Sequence, residues 1–332
     1  MPPFDAVLIV SFGGPQGPDD VRPFLENVLR GRRVAPGRLE EVVHHYELFG
    51  GVSPLTALTM RQAQAVREEL VRAGAPLPVH VGMRNWHPYL EETLEEMSRA
   101  GIRRAVGFIA AAHRSYSSCT QYRENVAAAR AAIVQRGLPD VEVTYVGDWF
   151  DHEGFIAANT ARALDALARL PAMLQDRAEL VFTAHSIPGS MADRYPYRAQ
   201  YQDTARRVAA AVNASRPPGA RLDHAVVYQS RSGRPEDPWL GPDICDYLRE
   251  ARRRHLDAAV VCPVGFLVDH VEVLYDLDTE ALAVANEIGL TLSRAETVND
   301  HPAFVRMMGD VIRDTISKYA AGRPLPVVAA AS

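Results

Sequence analysis

Residues 6–17 read AVLIVSFGGPQG. Five apolar residues run without alternation, which is the pattern of a strand buried on both faces rather than one face. A glycine-rich turn follows at once, and then a helix-like segment. The same order recurs along the chain. Strand-like runs are VHVGM (79–83), RAVGFIAA (104–111), VEVTYVG (141–147), ELVFTAH (179–185), HAVVYQS (224–230) and AAVVCPVGF (258–266). Amphipathic segments lie between them, over 56–73, 88–100, 121–136, 196–212, 241–254 and 300–319. Strand alternating with helix specifies a parallel sheet covered by helices on both faces. Seven runs are too many for one small sheet. The expectation is α/β, with two Rossmann-like, doubly wound, mostly parallel domains over 1–150 and 151–320. The join falls near 148–155, the final helix is able to pack back on the first domain, and 321–332 form a loose tail.

Composition narrows the function. The 332 residues are 47% hydrophobic and 23% charged, with a net charge of −5. That is ordinary for a soluble globular protein and supplies no global basic field for nucleic acid. Lys318 is the only lysine, so chemistry built on a central lysine is disfavoured. Cys119, Cys245 and Cys262 are far apart and form no CxxC motif. A sparse, odd cysteine count suits a reducing cytosol, and the start MPPFDAVLIV lacks a basic leader. No apolar stretch approaches the roughly 20 residues of a membrane span. A cytoplasmic protein is expected.

In doubly wound folds ligands bind beyond the carboxyl ends of the strands. Here those ends are SFGGPQG, GMRNWH, AAAHRSYSS, TAHSIPGS, YQSRSG and PVGFLVDH. SFGGPQG does not fit GxGxxG and lacks the Lys and Ser/Thr of a phosphate loop, so its glycines read as a turn or as room for a flat ligand. LRGRRVAPGR (29–38) carries Arg30, Arg32, Arg33 and Arg38. It reads equally as a solvated helix end and as a recognition site for ligand carboxylates. His45, Tyr46 and Ser53 follow. Ser53 precedes Pro54 and is either a helix cap or a carboxylate donor. Tyr122 follows the polar loop HRSYSS and fits either the core or the face of a planar ligand. His185 ends a strand at the ligand edge, where a neutral imidazole can take a proton or bind a transition metal. No Gly-x-Ser-x-Gly elbow surrounds it.

Residues 268–280, VDHVEVLYDLDTE, hold five acids, and no Lys or Arg occurs from 255 to 293. Taken as a helix, Glu272, Asp276 and Glu280 follow at i, i+4 and i+8 along one arc, with Asp269 inside it. Like charges at that spacing cost a few tenths of a kcal/mol per pair. A solvated acidic face is the ordinary reading. Against it, Val271, Leu274, Tyr275 and Leu277 make the rest of the helix apolar and its start packed. A row of unpaired carboxylates then reads as a cation path, and carboxylate with imidazole suits Fe2+.

Together SFGGPQGPDDVRPFLENVLRGR, HHYELFGGVSPL, VGMRNWHPYLEETL, SSCTQYREN, FTAHSIP, YQSRSGRPEDPWLGPDI and PVGFLVDHVEVLYDLDTEA resemble ferrochelatase. They look most like the soluble bacterial branch that inserts iron into coproporphyrin III, from about residue 5 to 310. The resemblance implies two Rossmann-like domains with porphyrin in the cleft between them. It implies that His185 and Glu272 are catalytic and face each other across the ring. Asp276 and Glu280 would continue the metal path, making His185, Glu272, Asp276 and Glu280 the metal-handling set. Tyr46, Ser53 and Tyr122 would contact porphyrin or its propionates, with Arg30, Phe12 and His45 beside them. Phe12 stands where some relatives have an iron-reaching tyrosine, and His45 where some have arginine. No cysteine follows Cys262, so no iron–sulfur cluster of the family's C-terminal kind is expected. The implied partners are porphyrin and Fe2+ as substrates, with transient contact to neighbouring enzymes of haem synthesis and no organic cofactor. The rival readings are a protoporphyrin IX ferrochelatase, a sirohydrochlorin-type chelatase and a non-enzymatic tetrapyrrole carrier.

Overall fold

The computed structural model describes residues 3–31, 37–232 and 236–322. Arg32 and Arg33 of the arginine-rich segment, and residues 323–332 of the tail, lie outside them. Eight strands are present among the described residues: β1 (Ala6–Ser11), β2 (Val79–Met83), β3 (Arg104–Ile109), β4 (Glu142–Tyr145), β5 (Ala178–His185), β6 (His224–Gln229), β7 (Ala258–Cys262) and β8 (Thr291–Arg294). They form two sheets of four, ordered β2-β1-β3-β4 and β6-β5-β7-β8. Every strand pair is parallel, with Val7 opposite Val79 and Val106, and Val181 opposite Ala225 and Val261.

The continuous apolar runs behave as their pattern requires. All six residues of β1 and all five of β7 are buried. Parallel neighbours demand crossovers, and helices supply them: Leu55–Arg72 before β2, Leu90–Arg99 before β3, Gln121–Gln135 before β4, and Tyr197–Ala214 and Ile244–Arg253 in the second sheet.

Seven strands were expected, and the eighth is a correction. TLSR (291–294) is four residues long, three of them polar, and pairs only with β7 at the sheet edge. With Leu292 its only apolar residue, so short a strand shows neither an unbroken apolar run nor an alternation. The acidic segment also departs from a plain α-helix. It turns as α-helix over Val271–Val273 and Leu282–Glu287, with a π-helical stretch at Leu274–Ala281 between them. Such insertions are rare and concentrate at functional sites.

The chain divides into two compact units, one of residues 1–110, 117–148 and 305–332, the other of 111–116 and 149–304. Most of the last helix, Pro302–Ala320, thus belongs to the first unit. In both, strand order reverses beside the first strand of the unit, between β1 and β3 and between β5 and β7. The crevice beyond the carboxyl ends at such a reversal is where the fold leaves room for a ligand.

Candidate active site

In the second unit the reversal point brings two chemically active side chains together. His185 is the last residue of β5, and Glu272 stands in the first turn of the helix that follows β7. His185 Nε2 lies 3.7 Å from Glu272 Oε1, with the side chains 35% and 46% exposed. Both therefore face open space. His185 Nδ1 donates to the Ser186 carbonyl oxygen. A carbonyl only accepts, so Nδ1 carries a proton, and Nε2 is the ring nitrogen turned toward Glu272.

The strand end that carries His185 is held from several sides. Tyr197 Oη donates to the His185 carbonyl at 2.8 Å. Buried Tyr201 Oη donates to Phe182 O at 2.7 Å and Val227 O at 2.9 Å. Ser186 Oγ donates to Leu240 O at 2.7 Å. The Pro263–Phe266 turn presses on the same strand. A Cβ on Gly265 would lie 2.5 Å from Ala184 Cβ and 2.6 Å from its Cα, so only glycine fits there.

Glu272 is placed by a cap. His270 Nδ1 accepts the Val273 N–H at 3.3 Å, and burial lowers the His270 pKa, with Glu272 and Asp269 pulling the other way. A neutral imidazole is what such an acceptor role needs. Asp276, one turn on, is half-buried and accepts from Gln229 Nε2 at 3.1 Å and from Ser230 Oγ. Ser230 adopts φ 60°, a left-handed backbone uncommon outside glycine that turns its hydroxyl group to Asp276. Burial first, then the Glu272 charge, pushes the Asp276 carboxyl up to about 7 against those hydrogen bonds, and Glu280 adds to the rise. Glu272 and Glu280 are exposed on either side of it. The π-helical turn widens the coil and keeps residues four apart on one face.

Two of the five acids do not belong to that row. Asp269, placed with it from sequence, is buried and bound by Arg294 Nη1 at 2.8 Å; Asp278 takes Arg294 Nε at 2.7 Å. The partner that residues 255–293 lack is the next residue, on the unanticipated strand β8. Among the described residues, no three His, Cys, Asp or Glu side chains gather as a self-sufficient metal cage. His185 and Glu272 offer two donors, an arrangement suited to handing on a cation and a proton.

A sequence model described as ferrochelatase matches residues 4–316. The chain belongs to the ferrochelatase family. Ferrochelatases insert iron into a porphyrin. The chain is 46% identical over 322 residues to the coproporphyrin III ferrochelatase of Streptomyces coelicolor, covering 93% of this chain and 85% of that one. It is 42% identical over 322 residues to the ferrochelatase of Rhodopirellula baltica, covering 96% and 88%. Among solved structures, SirB from Bacillus subtilis with Fe3+ superposes with a TM-score of 0.56 at 11% identity, covering 96% of this chain and 98% of that one. That last likeness concerns the fold alone.

The first unit of this ferrochelatase-family chain holds the other expected residues. Phe12 follows β1 at the reversal point, half-buried, 6.2 Å from the Phe24 ring; Tyr46 lies 5.8 Å from Phe24 on its own side. The Arg84 guanidinium sits 5.8 Å from the Phe12 ring and 5.3 Å from that of Tyr122, and donates to Gln121 Oε1 at 2.9 Å. Phe12, Tyr46 and Tyr122 are thus linked through Phe24 and Arg84. Tyr122 is buried and its hydroxyl is pushed up to about 12, so it stays a proton-bearing donor. Ser53 is buried against the β1 turn: its N–H donates to Pro15 O at 2.8 Å, and its Oγ takes the Leu55 N–H at 3.4 Å. His45 is half-buried on the helix that carries Tyr46. Arg30 is exposed and donates to Asn27 Oδ1, while Arg38 is paired with Glu41 at 2.7 Å. Tyr197, Gln229, Ser230 and Arg294 were not anticipated. Of these, Gln229 and Ser230 were within reach, since YQS ends a strand beside FTAHS.

Proposed function

We propose that the chain inserts Fe2+ into coproporphyrin III, giving the iron porphyrin for haem synthesis. The observation that carries this reading is the imidazole and carboxylate 3.7 Å apart at the sheet reversal, with Asp276 and Glu280 following on the same helix. Two pyrrole N–H protons must leave as Fe2+ enters, so charge balances without a redox step. His185 Nε2 is the ring nitrogen that faces Glu272 and is assigned as the principal base. Glu272 takes the second proton and ligates the incoming iron; Asp276 and Glu280 pass on the cation or the proton. Asp276 is suited to that exchange because a carboxyl group near 7 binds and releases protons at neutral pH. Phe12, Arg30, His45, Tyr46, Ser53 and Tyr122 are assigned to the porphyrin and its propionates. The reading requires neither an organic cofactor nor an iron–sulfur cluster.

Coproporphyrin III, with four propionates, is preferred to protoporphyrin IX, with two. The relatives named for coproporphyrin III support this, as do Arg30 and the polar loop after β3. No helix among the described residues is long and apolar enough to cross a membrane. A cytoplasmic location and transient contact with neighbouring haem-pathway enzymes are proposed with the reaction. Anaerobic Fe2+ insertion followed by absorbance, with both porphyrins in parallel, tests the choice. Coproporphyrin III should be metallated with the higher kcat/KM. Faster metallation of protoporphyrin IX would reverse the assignment.

A further inference from the structure

Arg294 divides the acidic segment into two kinds of carboxylate. Its side chain is only 13% exposed and spans Asp269 through Nη1 and Asp278 through Nε. Asp269 is held further: it accepts Asn299 Nδ2 at 3.0 Å, and its own N–H donates to Asn299 Oδ1 at 3.1 Å. Asn299 Oδ1 also takes the Thr297 hydroxyl at 2.9 Å. Asp269 precedes the helix and Asp278 lies in its π-helical stretch. Arg294 itself ends β8, which is laddered to β7, and β7 is paired on its other side with β5, the strand that ends in His185. A planar fork with its base on the sheet therefore grips the segment leading into the helix and the π-helical stretch of the helix itself.

We propose that Arg294 is a positioning residue for metal delivery. Its two-armed grip fixes the rotation of the helix that presents Glu272, Asp276 and Glu280, and it keeps Asp269 and Asp278 from competing for the incoming cation. This rests on the metal-insertion reading above. The rigid guanidinium is essential, because two edges of one planar group must each meet a carboxylate. A lysine ammonium carries the same charge but cannot hold both acids in that geometry.

Arg294→Lys and Asp278→Asn separate geometry from charge. The first keeps the charge and loses the fork; the second keeps the buried Asp269 pair and loses one arm. Initial rates are measured with Fe2+ and porphyrin varied separately. Both variants should raise the KM for Fe2+ about fivefold or more while leaving the KM for porphyrin unchanged. The double variant should be no worse than Arg294→Lys alone, because both changes remove one grip. A merely structural role would lower the folded fraction, and so apparent kcat, without moving either KM. An unchanged Fe2+ KM in Arg294→Lys, or a rise of both KM values together, overturns the proposal. Calorimetric titration with Co2+ reads the same comparison without turnover, and weaker Co2+ binding in both variants is expected. If the unaltered chain metallates no porphyrin, the function falls, and unchanged Co2+ affinity in the variants would then sink the positioning role separately.

Discussion

The imidazole at position 185 is half-exposed, donates through Nδ1 to a backbone carbonyl and leaves Nε2 toward Glu272. The side chain is half-exposed and its removal unpairs a single acceptor, the Ser186 carbonyl oxygen, so His185→Ala should fold while losing metal insertion by about 10²- to 10⁴-fold, the usual worth of a positioned base. Anaerobic insertion assays beside circular dichroism check this; turnover near that of the unaltered chain would remove the assignment. His113 makes the opposite case. It is buried, faces the Thr204 hydroxyl at 3.0 Å through Nε2, and burial lowers its pKa from 6.5 to about 3. The folded state therefore holds it neutral, whereas the unfolded chain protonates it below about 6.5. Its contribution is intact above pH 6.5 and is lost as pH falls from there toward 3. Urea denaturation of His113→Gln should show a shallower loss of stability between pH 7 and 5 than the unaltered chain. Parallel pH profiles would show that the acid sensitivity arises elsewhere.

At the level of elements, the site depends on how closely the turn after β7 packs on the end of β5. A methyl group at Gly265 would enter the space of the Ala184 backbone, one residue before His185. Gly265→Ala should cost about 1–3 kcal/mol or more, since overpacking forces a backbone shift. It should also lower metallation, because the shift displaces the imidazole from Glu272. Chemical denaturation and initial rates report the two effects. An unshifted midpoint would mean the turn yields without moving β5. The acidic helix teaches the same point by another route. Its composition identifies the row, while the separation of Asp269 and Asp278 from the other three acids depends on Arg294 from the neighbouring strand.

For the whole molecule, the final helix completes the first unit although it is last in sequence. Tyr319 packs on Phe4 with ring centroids 4.9 Å apart, and Gly309 meets Glu69 so closely that a Cβ there would lie 2.9 Å from its Cγ. Met307, Met308 and Ile312 are fully buried. Burial of each such side chain is worth about 1.5–3 kcal/mol, against a typical domain stability of about 5–15 kcal/mol. A variant ending at residue 304 should lose amide protection throughout β1–β4 and keep it in β5–β8, read by hydrogen exchange. Equal protection in β1–β4 would show that the first unit stands without the helix.

The residues alone determined a great deal here. Unbroken apolar runs such as AVLIV and AAVVC specify buried parallel strands because a strand covered on both faces has no polar side to show. Polar residues crowded at the ends of those runs mark the ligand edge, and His185, Glu272 and Asp276 are all found there. Tertiary structure alone decided which groups meet. The edge strand TLSR, too polar to announce itself, delivers Arg294 to two acids that sequence counting left without a partner. Periodicity encodes which side of an element is buried; contacts between groups far apart in the chain are set by the way elements pack, and no local pattern records them.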